Sequence, residues 1–281
     1  MKLDFSTPTA LQYFAMLVEN DSELPLLEAA ASLAQDDYPG LDLQQVLDGV
    51  DRLSARAQRR MGTRASALAR LYKLGRFFFD ELGFGGNVND YYHVDNSYIH
   101  LVLERRRGIP ISLAVIWLEV ARNLGLRAEG VSFPAHFLVQ AHVGQGRVVV
   151  DPFTGESLSS DQLRERLDEL SLLPPGESSR DQPLLPYLTP AAPRQILARM
   201  LRNLQAIHRS REDWPRLVAV QDRLITLLPE AWSEYRNRGL ALVELGQDKR
   251  ARADLSLYLD QVGQQASDRH NVIKVLQELG G

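Results

Sequence analysis

Apolar residues recur at three- and four-residue spacing through most of the first eighty positions, which predicts helices over 9–18, 24–34, 43–60 and 65–82. A Gly- and Asn-rich stretch, GFGGNVNDYYHVDN at 83–96, breaks this pattern as a loop, and Asn96 is placed to cap a short helix running through 106. The next stretch, GIPISLAVIWLEVARNLGL at 108–126, reads as a helix apolar on nearly every face. Pro110 suits a first helical position, where a missing amide costs nothing, and Gly125 suits a left-handed cap. A helix apolar all round is a central one. The period then drops to two. Residues 136–143, a turn at Gly144-Gln145-Gly146, and 147–151 predict a β-hairpin.

Six of the fourteen prolines fall between 174 and 193, a composition that suits an extended linker. Beyond it the chain is helical to its end. A shift of 34 residues lays Asn203 on Asn237, Ile207 on Ala241, Leu217 on Ala251 and Ile225 on Leu259, the period of tetratricopeptide-type helical pairs. About two such units cannot bury their apolar faces alone, so they are expected to stack on the first domain or on a partner. The expected organisation is therefore a first domain over 1–173, a linker over 174–193 and a helical repeat domain over 194–281.

Composition narrows the function. With 281 residues, 44% of them hydrophobic, the chain can fill one large core or two modest ones. A net charge of -4 gives no basic footprint, so nucleic acid is not expected as a partner. No apolar run is long enough for a membrane span and the first residues lack a signal-peptide layout, which makes a cytoplasmic protein the expectation. Charge is segregated locally. Residues 19–51 hold no basic side chain and 52–76 no acidic one; these segments either pair across the surface or offer a basic face to an anionic partner. Arg105, Arg106 and Arg107 read as a solvated helix end. His93, Asp95 and His100 have metal-binding residue types without a zinc or calcium spacing, and no Gly-rich phosphate loop is present, so no metal and no cofactor is expected.

Cysteine is absent, which excludes disulfides, thiolate ligands and thiol nucleophiles together. Ser112 lies in the first turn of the buried helix, beside amides that could hold an oxyanion, yet a serine there is equally a plain helix-starting residue. In the hairpin, alternation puts Phe137, Val139, Ala141 and Val143 on one face and His136, Leu138, Gln140 and His142 on the other. A two-residue turn pairs Val143 with Gly146 and Leu138 with Asp151, which brings Asp151 diagonally across from His136. Hydroxyl, histidine and aspartate then follow the order of a nucleophile, its base and the orienter of that base.

The stretch 96–155, with NSYIHLVLERRRGIPISLAVIWLEVARNLGL, GVSFPAHFLVQ and VVVDPFTG, closely resembles the bacterial SirB-type family. In that family an N-terminal part similar to the transglutaminase and papain-like superfamily is followed by tetratricopeptide repeats. The resemblance implies an α+β fold, a helical N-terminal part and a central helix on a small antiparallel sheet, followed by an all-α repeat domain. It also implies that Ser112 stands where catalytic members carry cysteine, with His136 and Asp151 at the histidine and aspartate positions; His93 and Asn96 are candidate rim residues of the cleft. A serine hydroxyl stays protonated where a cysteine at a helix start becomes thiolate, so thiol-dependent transglutaminase activity is not expected.

Two readings follow. In the first the chain is a catalytically degenerate transglutaminase-like protein that acts as a regulatory adaptor, binding a protein or peptide through the cleft and the repeats. In the second it is a serine hydrolase acting on an amide or ester, with Ser112 as nucleophile, His136 as base and Asp151 as orienter.

Overall fold

Helix α6 (Pro110–Asn123) carries ten buried residues from Pro110 to Ala121, and Trp117 at its centre is fully buried. It stops where the sequence says it should. Gly125 takes φ +69°, and the amide of Leu126 returns to the Ala121 carbonyl at 2.9 Å. The computed structural model describes residues 7–62, 65–170, 183–264 and 266–280. These gather into two compact units: 25–31 with 42–196, and 7–24 with 32–41 and 197–280.

In the first unit, α6 packs on an antiparallel sheet of order β3-β4-β5-β6, formed by Ala128–Val131, Leu138–Val143, Gly146–Val150 and Ser157–Leu158. The hairpin register is the one the alternation predicts: Val143 faces Gly146, Ala141 faces Val148 and Val139 faces Val150, with Gly144 at φ +60° in the two-residue turn. Leu138 and Gln140, on the other face, are as buried as Val139 and Ala141, because the second face is covered too. There Val131, Leu138, Val149 and Leu158 pack with Phe133 and with Leu163 and Leu167 of α7 (Ser160–Glu169).

The Pro-rich stretch is only partly described, residues 171–182 lying outside the described residues. From 183 on it packs rather than extends: Leu184, Tyr187 and Leu188 lie against the same cluster, and the Ala191 amide donates to the Gly130 carbonyl at 2.8 Å.

The helical N-terminal part contributes α2 (Leu26–Ser32), α3 (Leu43–Arg60) and α4 (Ala67–Gly75), the last two capped by Asp42 and Ser66. Helix α4 runs on into a π-helical turn, Arg76–Glu81. A two-residue strand β1 (Gly85–Gly86) then pairs in parallel with β2 (Arg107–Gly108), which leads into α6. The short helix before β2, α5 (Ile99–Arg105), begins at Tyr98, so Asn96 does not cap it as expected.

In the second unit, α8 (Pro193–Ser210), α9 (Trp214–Leu227), α10 (Trp232–Glu244), α11 (Asp248–Gln261) and α12 (Arg269–Glu278) follow one another. Shifting 214–227 by 34 gives 248–261, the range of α11, so the sequence period is the structural one. Gly239 of α10 permits the close approach of α11, since a Cβ there would lie 2.7 Å from Leu255 Cγ. The N-terminal segments complete this unit. Helix α1 (Ala10–Leu17) buries Phe14 under the guanidinium of Arg223, 5.1 Å from the ring centre, and Arg223 binds Asp36 through two hydrogen bonds of 2.6 and 3.1 Å. The acidic residues Asp36 and Asp37 thus pair with Arg223 and Arg216, while Arg60 of the basic segment pairs with Glu81.

Candidate active-site cleft

Pro110 starts α6, so residue 112 falls in its third position and its side chain can reach back to the preceding loop. The Ser112 hydroxyl does this. It accepts from the Ile109 amide at 3.2 Å and lies 2.6 Å from the Asn96 carbonyl and 3.0 Å from the Ile109 carbonyl, either of which takes its proton. Ser112 is fully buried, and a Cβ on Gly108 would come within 2.7 Å of its oxygen. No hydrogen bond joins Ser112 to His136 among the described residues.

His136 and Asp151 do meet. His136 sits in the turn before β4 rather than on the strand, held there by a left-handed Ala135 (φ +53°) and by its own amide donating to the Phe133 carbonyl. Its Nε2 lies 2.9 Å from Asp151 Oδ1. The Asp151 carboxylate is buried and saturated: Oδ1 also accepts from the Phe153 amide and Oδ2 from Arg166 of α7, both at 2.9 Å. Burial alone would raise its pKa, but the hydrogen bond and charge of His136, with Phe153 and Arg166, outweigh this and hold it below the ordinary carboxylate range. An ionised Asp151 accepts the Nε2 proton, so whenever the ring is neutral Nδ1 is the nitrogen that carries the lone pair. Nδ1 has no hydrogen-bond partner among the described residues.

Phe153 closes the other side. Its ring lies edge-on to His136, 6.4 Å between centres, 5.8 Å from Tyr91, and directly on Gly86, where a Cβ would fall 2.2 Å from the ring. Phe153 and Arg166 were not singled out by the sequence. Phe153 had a signal in the DPF triplet, whereas Arg166 had none beyond its place between Leu163 and Leu167 on an amphipathic helix.

Asn96 is buried and works on the loop before the central helix. Its amide donates to the carbonyls of Asp90 at 2.7 Å and Tyr91 at 3.1 Å, and its Oδ1 accepts from Asn87 at 3.0 Å. His93 is partly exposed and accepts from the Asp95 amide at 3.3 Å. The arginine triplet is the exposed end of α5 that the sequence suggests, and it is also tied in place: Arg105 pairs with Asp95, Arg106 takes φ +57° and donates to the Leu82 carbonyl at 2.7 Å, and Arg107 donates to the Gly83 carbonyl.

Residues 44–202, which hold the central helix and the four-stranded antiparallel sheet, match the family model described as the transglutaminase-like superfamily. Residues 204–277 match a tetratricopeptide repeat model. A UPF0162 protein of Xylella fastidiosa is 40% identical over 242 residues, 85% of each chain. The chain belongs to this SirB-type, transglutaminase-like family. Protein SirB1 of Salmonella typhimurium is 27% identical over 233 residues, 83% of each chain. Human F-box only protein 21 is 32% identical over 163 residues, half of this chain and 26% of that protein. No solved structure matches. Asn96, Ser112, His136 and Asp151 all lie inside the transglutaminase-like match, and no described helix is long and apolar enough to cross a membrane.

Proposed function

We propose that this protein is a catalytically degenerate transglutaminase-like adaptor, which binds a protein partner through its cleft and its tetratricopeptide repeats. The observation that carries this reading is the state of Ser112. Its hydrogen bonds go to Ile109 and Asn96, it is fully buried, and none reaches His136. A nucleophilic hydroxyl needs a base within about 3 Å. The second reading, a serine hydrolase, is favoured by the assembled His136–Asp151 pair with its open Nδ1, and would require the Ser112 hydroxyl to leave both carbonyls.

The repeats supply the argument for a protein partner, because such helical pairs commonly present binding faces. A photo-reactive side chain placed at exposed Val88, beside the cleft, and at exposed Arg209 of α8 tests it in host cells. The same protein captured from either position, and not from exposed Met16, is the expected result. Equal capture from all three positions, or none from the first two, would refute the adaptor reading.

A further inference from the structure

The loop over 83–89, with Phe79, Arg107 and Phe153, lines a cavity of the first unit of about 590 Å³. The rings of Phe79, Phe84 and Phe153 give it apolar walls, while Val88, 78% exposed, and exposed Asn89 stand at its mouth. Arg107 is the one charged residue among those that line it. Its side chain is exposed, so a solute reaches it. Nη1 of Arg107 donates to the carbonyls of Gly83, itself a lining residue, and of Arg106, and these two bonds fix the plane of the guanidinium. Neither Nε nor Nη2 has a hydrogen-bond or ion-pair partner among the described residues. The edge they form carries two parallel donors and matches the two oxygens of a carboxylate. An arginine held in orientation by backbone carbonyls, with that edge left open, is prepared for an anion.

We propose that this cavity binds a carboxylate carried on a flat apolar body, the carboxylate accepting from Nε–H and Nη2–H of Arg107 and the body lying against the phenyl rings. The volume suits a small ligand, since such sites run from about 300 to 1,000 Å³. Charge selects the anion. With one cation and no carboxylate in the lining, a singly charged group is balanced, whereas a phosphate dianion leaves a second charge beside three phenyl rings. Two sources carry this chemistry, a free aromatic acid and the C-terminus of a peptide that ends in an aromatic residue. The site goes beyond the adaptor reading, because neither Ser112 nor His136 lines it.

The test uses the full chain labelled with 15N-arginine, in which the Arg107 Nε–H signal is the one lost in Arg107→Lys. The expected result is a saturable downfield shift of that signal with 3-phenylpropionate, and little response to 3-phenylpropionamide, acetate or inorganic phosphate at the same concentration. Arg107→Lys keeps the charge without the two-donor edge and is expected to weaken 3-phenylpropionate binding about tenfold, followed through the backbone amides of 83–89. Val88 is exposed and makes a second variant that leaves Arg107 in place. At low salt Val88→Asp is expected to weaken binding about threefold and Val88→Lys to strengthen it by a similar factor. Tighter binding of N-acetyl-alanyl-phenylalanine than of 3-phenylpropionate supports the site with a peptide C-terminus as its ligand, and the reverse order supports it with a free acid. An unmoved Arg107 signal overturns the proposal. So does an equal response to the amide, to acetate or to phosphate, or binding indifferent to the sign of the charge at position 88.

Discussion

The Ser112 hydroxyl lies 2.6 Å from the Asn96 carbonyl oxygen, across a sequence separation of sixteen residues, and together with the Ile109 amide, which donates to the same carbonyl at 3.3 Å, it binds the start of the central helix to the loop before it. The loop in turn hangs on the Asn96 side chain, which holds Asp90 and Tyr91. Ser112 thus does for the fold what a cap does for a helix, with its donor and acceptor capacity both engaged.

Replacing Ser112 by Ala is therefore expected to cost about 1 kcal/mol, since it leaves the Asn96 carbonyl and the Ile109 amide with only their longer bond to each other, 3.3 Å. Ser112→Cys is expected to cost at least as much, because a larger sulfur must fit a fully buried site and accepts and donates hydrogen bonds only weakly. Urea unfolding of the two variants measures both.

Asp151 gives a prediction with a definite sign. Its folded pKa lies below that of the unfolded chain, so the stability it contributes is present above about pH 4, the unfolded carboxylate value, and is lost as pH falls through the lower folded value. Asp151→Asn should cost about 3 kcal/mol at pH 7 by leaving Arg166 without its counter-charge and the His136 ring without its carboxylate partner. The gap between wild type and variant should close as the pH is taken below 4. Denaturation midpoints across pH 3 to 7 check this, and a gap that widens on acidification would show the sign to be wrong.

How much of this could be read from the chain depends on which force decided each element. Period and turn chemistry fixed α6, the hairpin register and the 34-residue repeat, because these follow from the spacing of apolar side chains and from Gly125 and Gly144. The meeting of His136 with Asp151 followed from that register, although His136 lies in a turn whose left-handed Ala135 no pattern announces. What could not be read were contacts set by tertiary packing. Arg166 reaches Asp151 from a separate helix, residues 183–192 pack on a sheet face, and Phe14 and Asp36 join helices nearly two hundred residues later. The orientation of Ser112 toward Asn96 was equally hidden, since the same residue at the same helix position serves either role.

Gly86 is the simplest check on the cleft wall. A methyl group there would overlap the Phe153 ring, with 2.2 Å between atoms, and the ring cannot yield without leaving its place beside His136 and Tyr91. Gly86→Ala is expected to lower stability by about 1 to 3 kcal/mol and to shift the His136 ring resonances. A silent substitution would mean the ring is not held there.

Asp36 tests the tie between the N-terminal segment and the repeat helices. Asp36→Ala leaves the Arg223 guanidinium, 1% exposed, without its carboxylate, for an expected loss of about 2 to 4 kcal/mol; the partial exposure of Asp36 argues for the lower end. Arg223→Met in the same background should recover much of the loss, because a buried apolar chain needs no partner. Melting temperatures of the single and double variants measure both effects.

The central claim is that Ser112 is a structural hydroxyl and not a nucleophile, and a fluorophosphonate probe followed by intact-mass and peptide mapping tests it most directly. The account predicts no adduct on Ser112 in the folded wild-type protein, even at high probe concentration. A stoichiometric adduct on Ser112 that disappears in His136→Ala would contradict it and establish a serine hydrolase.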